Sequence, residues 1–227
     1  MSTALHPKLP PSRLPRDWSL ADLRKRLWGI PLERIRLVPP PGYASEDDVL
    51  AAAAHEDRLC ELEDGILVEK PMGWYESILA GIILTELRLY LRTHDLGQAL
   101  GADGSLGILP EKVKIPDVSF ISWERFPETK LPRRPIPKIV PDFVVEVLSE
   151  TNTAEEMDEK LAKYLEAGVK LVWYVDPESR SAKMYTAPAS VTAIYEQEFL
   201  DGGEVLPGFR LSLAALLEEA DRQGTRS

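Results

Sequence analysis

The segment Phe143-Val144-Val145-Glu146-Val147-Leu148 constrains this chain more than any other, because it is a near-continuous apolar run. Such a run is the pattern of a strand buried on both faces, and so implies packed layers on either side of a sheet. One carboxylate interrupts it. An unpaired carboxylate among apolar neighbours costs several kcal/mol, so Glu146 has to be protonated, ion-paired or bound to a cation. A structural ion pair and a functional site both meet that requirement, and the strand alone does not separate them.

Around this strand the chain alternates between helical and strand patterns. Ser19 is placed to cap a short helix running through Leu20, Leu23 and Leu27 to Gly29, and Pro39 to Gly42 then break the chain. Ser45 with Asp48 is a capping box for a helix containing Ala51 to Ala54. Leu59 to Glu63 alternates, Asp64-Gly65 is a hairpin turn and Ile66 to Val68 returns, with Glu61 and Glu63 on one face. Ile78, Leu79, Ile82, Ile83 and Leu87 recur at helical spacing and predict the longest helix, from Tyr75 to about His94, with Gly97 as its stop.

Strand-like runs follow at Ser105 to Leu109 and Val118 to Ser122, then a proline-rich loop from Pro127 to Pro141. Thr153 with Glu156 caps a helix ending at Gly168. Lys170 to Val175 is a further apolar strand, Ala182 to Tyr185 and Val191 to Tyr195 are weaker ones, and Leu211 to Ala220 closes as a helix. The expected fold class is α/β (α+β), a mixed β-sheet flanked by helices. The expected division is an extension with a short helix over 1–44, the domain over 45–220, and a tail over 221–227.

A chain of 227 residues that is 44% hydrophobic and 28% charged is large enough to bury its own core. Its single cysteine, Cys60, rules out an internal disulfide or a cysteine metal cluster, and reads as a small buried hydrophobe. There is no secretory apolar region and no apolar stretch approaching the roughly 18 residues of a membrane span, so the expectation is a cytoplasmic protein. The net charge of -10 disfavours strong nonspecific binding to nucleic acid. The charge is uneven, however, because residues 1–40 hold eight Lys/Arg against three Asp/Glu. That basic arm, and the loop with Lys130, Arg133, Arg134 and Lys138, are either phosphate contacts or ordinary solvated surface. His6, His55 and His94 lack metal-ligand spacing, and Gly101, Gly104 and Gly107 are not followed by the Lys-Ser/Thr of a nucleotide-binding loop.

Two further residues carry potential chemistry. Asp117 follows Pro116 at the entrance of Val118-Ser119-Phe120-Ile121, where it is either a turn aspartate or a rigidly held site carboxylate. Met157, Lys160, Leu161, Tyr164 and Leu165 share one helical stripe, so Lys160 either extends to water along its stem or points at Glu146.

Taken in order, Pro116-Asp117, Val145-Glu146-Val147-Leu148-Ser149, Lys160, Tyr164, Ala167-Gly168-Val169, Val172-Trp173 and Val175-Asp176-Pro177 resemble the Uma-two family of restriction-endonuclease relatives. That family belongs to the PD-(D/E)XK nuclease superfamily, and the resemblance runs from about Glu61 to Leu213. It implies a restriction-endonuclease-like core, Mg²⁺ with Mn²⁺ as substitute, hydrolysis of phosphodiester bonds in nucleic acid with DNA the expected substrate, and a homodimer. The apolar residues of the terminal helices point to the homodimer as well.

Carried over residue by residue, Asp117 matches the motif aspartate, Glu146 the second carboxylate and Lys160 a displaced lysine. The superfamily lysine stands two residues after the second carboxylate, where this chain has Leu148. Glu61 matches an earlier glutamate that completes the metal shell, or is a surface carboxylate of the hairpin. Glu76 stands near the start of the long helix, where many relatives show a histidine, and its role stays open. The rival reading is a catalytically silent nuclease-fold scaffold or binding protein in which Lys160 and Glu146 form a structural pair. A glycosidase pair of carboxylates fits less well, because a lysine beside them suits phosphate chemistry.

Overall fold

The computed structural model describes Pro15 and residues 18–71, 73–127 and 130–223. The part of the basic arm before Pro15, with His6, lies outside the described residues, as does the end of the tail from 224 onward. The chain opens with helix α1 (Leu20–Arg26), a 3-10 turn (Leu32–Arg34) and helix α2 (Glu46–His55). Ser19 with Asp22 and Ser45 with Asp48 each form a capping box; at α2 the Ser45 amide donates to Asp48 Oδ2 at 2.8 Å. The hairpin of β1 (Cys60–Glu63) and β2 (Ile66–Glu69) turns at Asp64 and Gly65, both at positive φ, as the Asp-Gly pair predicts. A side chain at Gly65 would also meet the Gly42 backbone at 2.7 Å, which keeps that position a glycine.

Helix α3 (Trp74–Leu91) leads into β3 (Gly97–Leu100), followed by β4 (Leu106–Leu109), β5 (Lys112–Lys114), β6 (Val118–Ser122) and β7 (Phe143–Val147). Helix α4 (Ala154–Ala167) crosses to β8 (Leu171–Asp176), and β9 (Ser181–Ala187), β10 (Ser190–Tyr195), β11 (Phe199–Asp201), β12 (Arg210–Ser212) and α5 (Leu213–Ala220) complete the chain. The central sheet runs β10-β9-β8-β7-β6-β3, with β7 and β8 parallel and every other pair antiparallel. A second sheet runs β2-β1-β5-β4.

The continuous apolar run of β7 is explained by its two covered faces. Phe143, Val145 and Val147 enter a core with Leu79, Ile83 and Leu87 of α3 and Leu216 and Leu217 of α5. Val144 enters a second core with Met157, Leu161 and Tyr164 of α4. By the alternation of strand side chains, Glu146 lies on the α4 face.

Three local expectations change. Gly97 does not end the long helix, which stops at Leu91; it begins β3, where an added side chain would overlap the Ile121 carbonyl. Close strand approach is what requires glycine there. The expected closing helix divides into β12 and α5, because Ser212 accepts from the Ala215 amide and starts the helix two residues late. Thr153 accepts from the Glu156 amide at 3.1 Å, yet the Glu156 side chain turns to Arg34 instead of returning to the cap.

The segment before α2 is packed onto the domain, with Leu23, Leu27, Ile30 and Ile35 against Ile66 and Val68 of β2. The apolar side chains of α5 are likewise spent inside this chain's own core, which removes one of the two supports for the homodimer expectation. Among the described residues, no helix is long and apolar enough to cross a membrane.

Candidate active site

Strand register brings the two motif carboxylates together. Val118 pairs with Val145 in antiparallel β6 and β7, so one further step sets Asp117 opposite Glu146. Asp117 Oδ2 accepts from the Val147 amide at 2.7 Å, and its Oδ1 lies 2.8 Å from Lys70 Nζ. Lys70 also donates to the Ile115 carbonyl at 2.6 Å. Glu146 Oε1 receives the Tyr164 hydroxyl at 2.6 Å and the Lys160 ammonium at 2.8 Å. Lys160 therefore turns inward. Its ammonium also stands 3.2 Å from Glu61 Oε1, while Lys114 holds Glu61 Oε2 at 2.9 Å.

Asp117, Glu146, Lys160 and Glu61 all line one cleft, together with Arg34, Lys70, Glu76, Ser149 and Asn152. Its volume of about 30 Å³ suits a water or an ion, since one water needs about 10–15 Å³ of such space. It adjoins a wider cleft of about 420 Å³ that shares Glu76, Ser149 and Asn152. Glu61 is a buried site-wall residue, and the surface-carboxylate alternative falls away. Glu76 reaches both clefts while its carboxylate folds back over Gly73, the cap of its own helix.

Glu61, Asp117 and Glu146 pair with Lys70, Lys114 and Lys160, and Arg34 and Glu76 add one charge of each sign to the cleft wall. Burial pushes the Glu146 carboxyl above its ordinary range, with the Lys160 charge opposing and the Asp117 charge adding to the rise. Burial would lower the Lys160 ammonium, but the Glu146 and Glu61 charges outweigh it and raise its pKa, so it stays protonated. Burial opposes ionisation of Glu61 too, and the Lys114 and Lys160 charges overcome it, holding that carboxyl well below the usual range.

The oxygen-only donor set of Glu61, Asp117 and Glu146 is the chemistry a hard divalent cation takes. Among the described residues no three His, Cys, Asp or Glu side chains already stand as a metal cage; Lys160 stands between Glu146 and Glu61, and Lys70 lies against Asp117. The residues fit such an ion in kind, and they close on it only if Lys160 and Lys70 give way.

Sequence reasoning assigned no role to Lys70, Lys114, Arg34 or the Tyr164 hydroxyl. Lys112-Val113-Lys114 does show strand alternation, but over only three residues. Leu148, at the usual lysine position, packs partly buried against the α4-side core, so the ammonium arrives from the helix. Of the loop cations, Lys138 pairs with Glu46, and Arg133 and Arg134 are exposed.

Behind the cleft, Glu63 is surrounded by Lys112, Lys114 and Lys163. Burial acts against its charge, but Lys114, Lys163 and Lys112 prevail and hold its carboxyl at about 2, below the ordinary 4.5. A depressed carboxylate contributes stability above pH 4.5 that is lost as pH falls toward 2, at most about 3 kcal/mol here. Glu63→Gln should therefore flatten the decline of unfolding free energy between pH 4.5 and 3. Urea titrations giving the same slope for variant and parent would refute this.

A central mixed sheet with helices on both faces makes this a fold of the restriction-endonuclease-like class. The chain belongs to the Uma-two family: the family model Uma2, described as "Putative restriction endonuclease", matches residues 46–214. Among solved structures, it is similar to a protein of Anabaena variabilis described as a "putative nuclease". The two share 17% identity with a TM-score of 0.64, over 72% of this chain and 92% of that one. At that identity the likeness shows the fold. No curated protein matches the chain.

Proposed function

We propose that the chain is a divalent-metal-dependent endonuclease that hydrolyses phosphodiester bonds of nucleic acid, with DNA as its substrate. One observation carries the reading: three carboxylates from three separate strand segments meet a buried helix lysine in a single cleft. Glu61, Asp117 and Glu146 would hold Mg²⁺, with Mn²⁺ able to replace it. When bound, the ion supplies positive charge at the scissile phosphate and acidifies the attacking water.

The chain's own residues supply the rest. The Val147 amide fixes Asp117 on one oxygen, leaving its other oxygen on the Lys70 side. Lys160, held against Glu146 and Glu61, would donate hydrogen bonds to phosphate oxygens or to the attacking water. The Tyr164 hydroxyl orients the Glu146 carboxylate that Lys160 faces. The exposed Arg133 and Arg134 are available for phosphate contacts away from the cleft.

The scaffold reading is favoured by a different observation, that Glu61, Asp117 and Glu146 each already have an ammonium partner. Plasmid nicking by the purified chain with Mg²⁺ or Mn²⁺ separates the two. Conversion of supercoiled to nicked or linear DNA, stopped by chelator and by Glu146→Gln, is the expected result. Nicking that Glu146→Gln leaves intact would overturn the assignment.

A further inference from the structure

Arg34 lies outside the region that the family model matches, yet it lines the cleft. It ends the 3-10 turn Leu32–Arg34 and is 9% exposed. Its guanidinium grips Glu156 with both prongs, at 2.9 Å to Oε2 and 2.8 Å to Oε1. Its Nε donates to the Glu69 carbonyl at 3.0 Å.

Those partners are the neighbours of the two cleft lysines. Glu69 directly precedes Lys70, and Glu156 stands four residues before Lys160, one turn away on the same side of α4. One planar group thus joins the end of β2, which delivers Lys70, to the first turn of α4, which delivers Lys160. The same segment grips α4 twice more. Thr153 Oγ1 donates to the Trp28 carbonyl at 2.9 Å, and the Lys163 ammonium lies 3.4 Å from the centroid of the Trp28 ring.

We propose that Arg34 is a positioning residue that sets Lys70 and Lys160 across the cleft, making the segment ahead of α2 a working part of the site. The inference rests on the nuclease reading for its catalytic consequence. Glu156 stands where a capping-box glutamate would return to its own helix cap, and it is diverted to Arg34 instead. A two-pronged pair fixes direction as well as distance, which an ammonium cannot do. Arg34→Lys keeps the charge and loses that geometry, and Glu156→Gln weakens the same contact from the other side.

The test measures nicking kinetics with Mg²⁺, together with acetic anhydride labelling of individual lysines read by mass spectrometry. In folded Arg34→Lys, kcat should fall roughly tenfold to a hundredfold with KM little changed, as displacement of reacting groups by an ångström would produce. Labelling of Lys70 and Lys160 should rise severalfold, with Lys114 unchanged. If Arg34→Lys does not fold, Glu156→Gln takes its place in both measurements. A variant that is less stable but keeps the parental kcat would make the contact purely structural and overturn the proposal. Parent protein that never nicks, with lysine labelling still raised in the variant, would sink the nuclease reading and leave the positioning role standing. Unchanged labelling together with absent nicking would overturn both.

Discussion

Replacing Lys160 with methionine should cost about 3–5 kcal/mol of stability in chelator and abolish nicking. The size follows from burial. Lys160 is the ammonium between Glu146 and Glu61, whose side chains are only 6% and 10% exposed, and removing one partner of a buried pair leaves the other charge uncompensated. Lys114 still serves Glu61, so most of the penalty falls on Glu146, which retains only the Tyr164 hydroxyl among these donors. Glu146 can escape part of the cost by taking a proton, a course its raised pKa already favours.

The variant also separates the two readings of the site. If the carboxylates are metal ligands, a divalent ion takes over the charge that Lys160 supplied, so Mn²⁺ should restore a share of the lost stability. A structural pair offers no such recovery. Urea unfolding of Lys160→Met with and without Mn²⁺ measures this. A loss below about 1 kcal/mol in chelator, or the same loss with saturating Mn²⁺, would refute the expectation.

The candidate site was legible in the sequence where local pattern and strand register suffice to place a side chain. Glu146 stands out because a carboxylate within a doubly covered strand needs compensation, and the stripe containing Lys160 and Tyr164 faces that strand once α4 crosses between β7 and β8. Asp117 joins them through antiparallel pairing, which its place before Val118 foreshadows. Arg34 and Lys70 were not legible, because their approach depends on how the leading segment and the hairpin sheet dock, and no periodicity encodes docking. Gly97 misled for a related reason: a glycine after a helix serves equally as a stop or as room for a neighbouring strand, and only the position of Ile121 decides.

Asp117 permits the sharpest separation of metal binding from folding, because its two oxygens have different partners. Oδ2 accepts from the buried Val147 amide, whereas Oδ1 faces Lys70. Asp117→Asn keeps a carbonyl oxygen for the amide and removes the negative charge. It turns an amide NH2 toward the buried Lys70 ammonium and so should lose some stability, and it should reduce Mn²⁺ affinity and nicking by more than about a hundredfold, since even outer-shell changes at metal sites cost about 10–100-fold. Asp117→Ala also removes the acceptor. Leaving the Val147 amide unpaired in the core should cost about a further 1–3 kcal/mol. Both variants take the carboxylate from Lys70, which keeps the Ile115 carbonyl in each. Calorimetry with Mn²⁺, urea unfolding and nicking on the pair complete the test. Equal stability of Asp117→Asn and Asp117→Ala would discount the role of the amide bond, and parental Mn²⁺ affinity in Asp117→Asn would remove Asp117 from the metal shell.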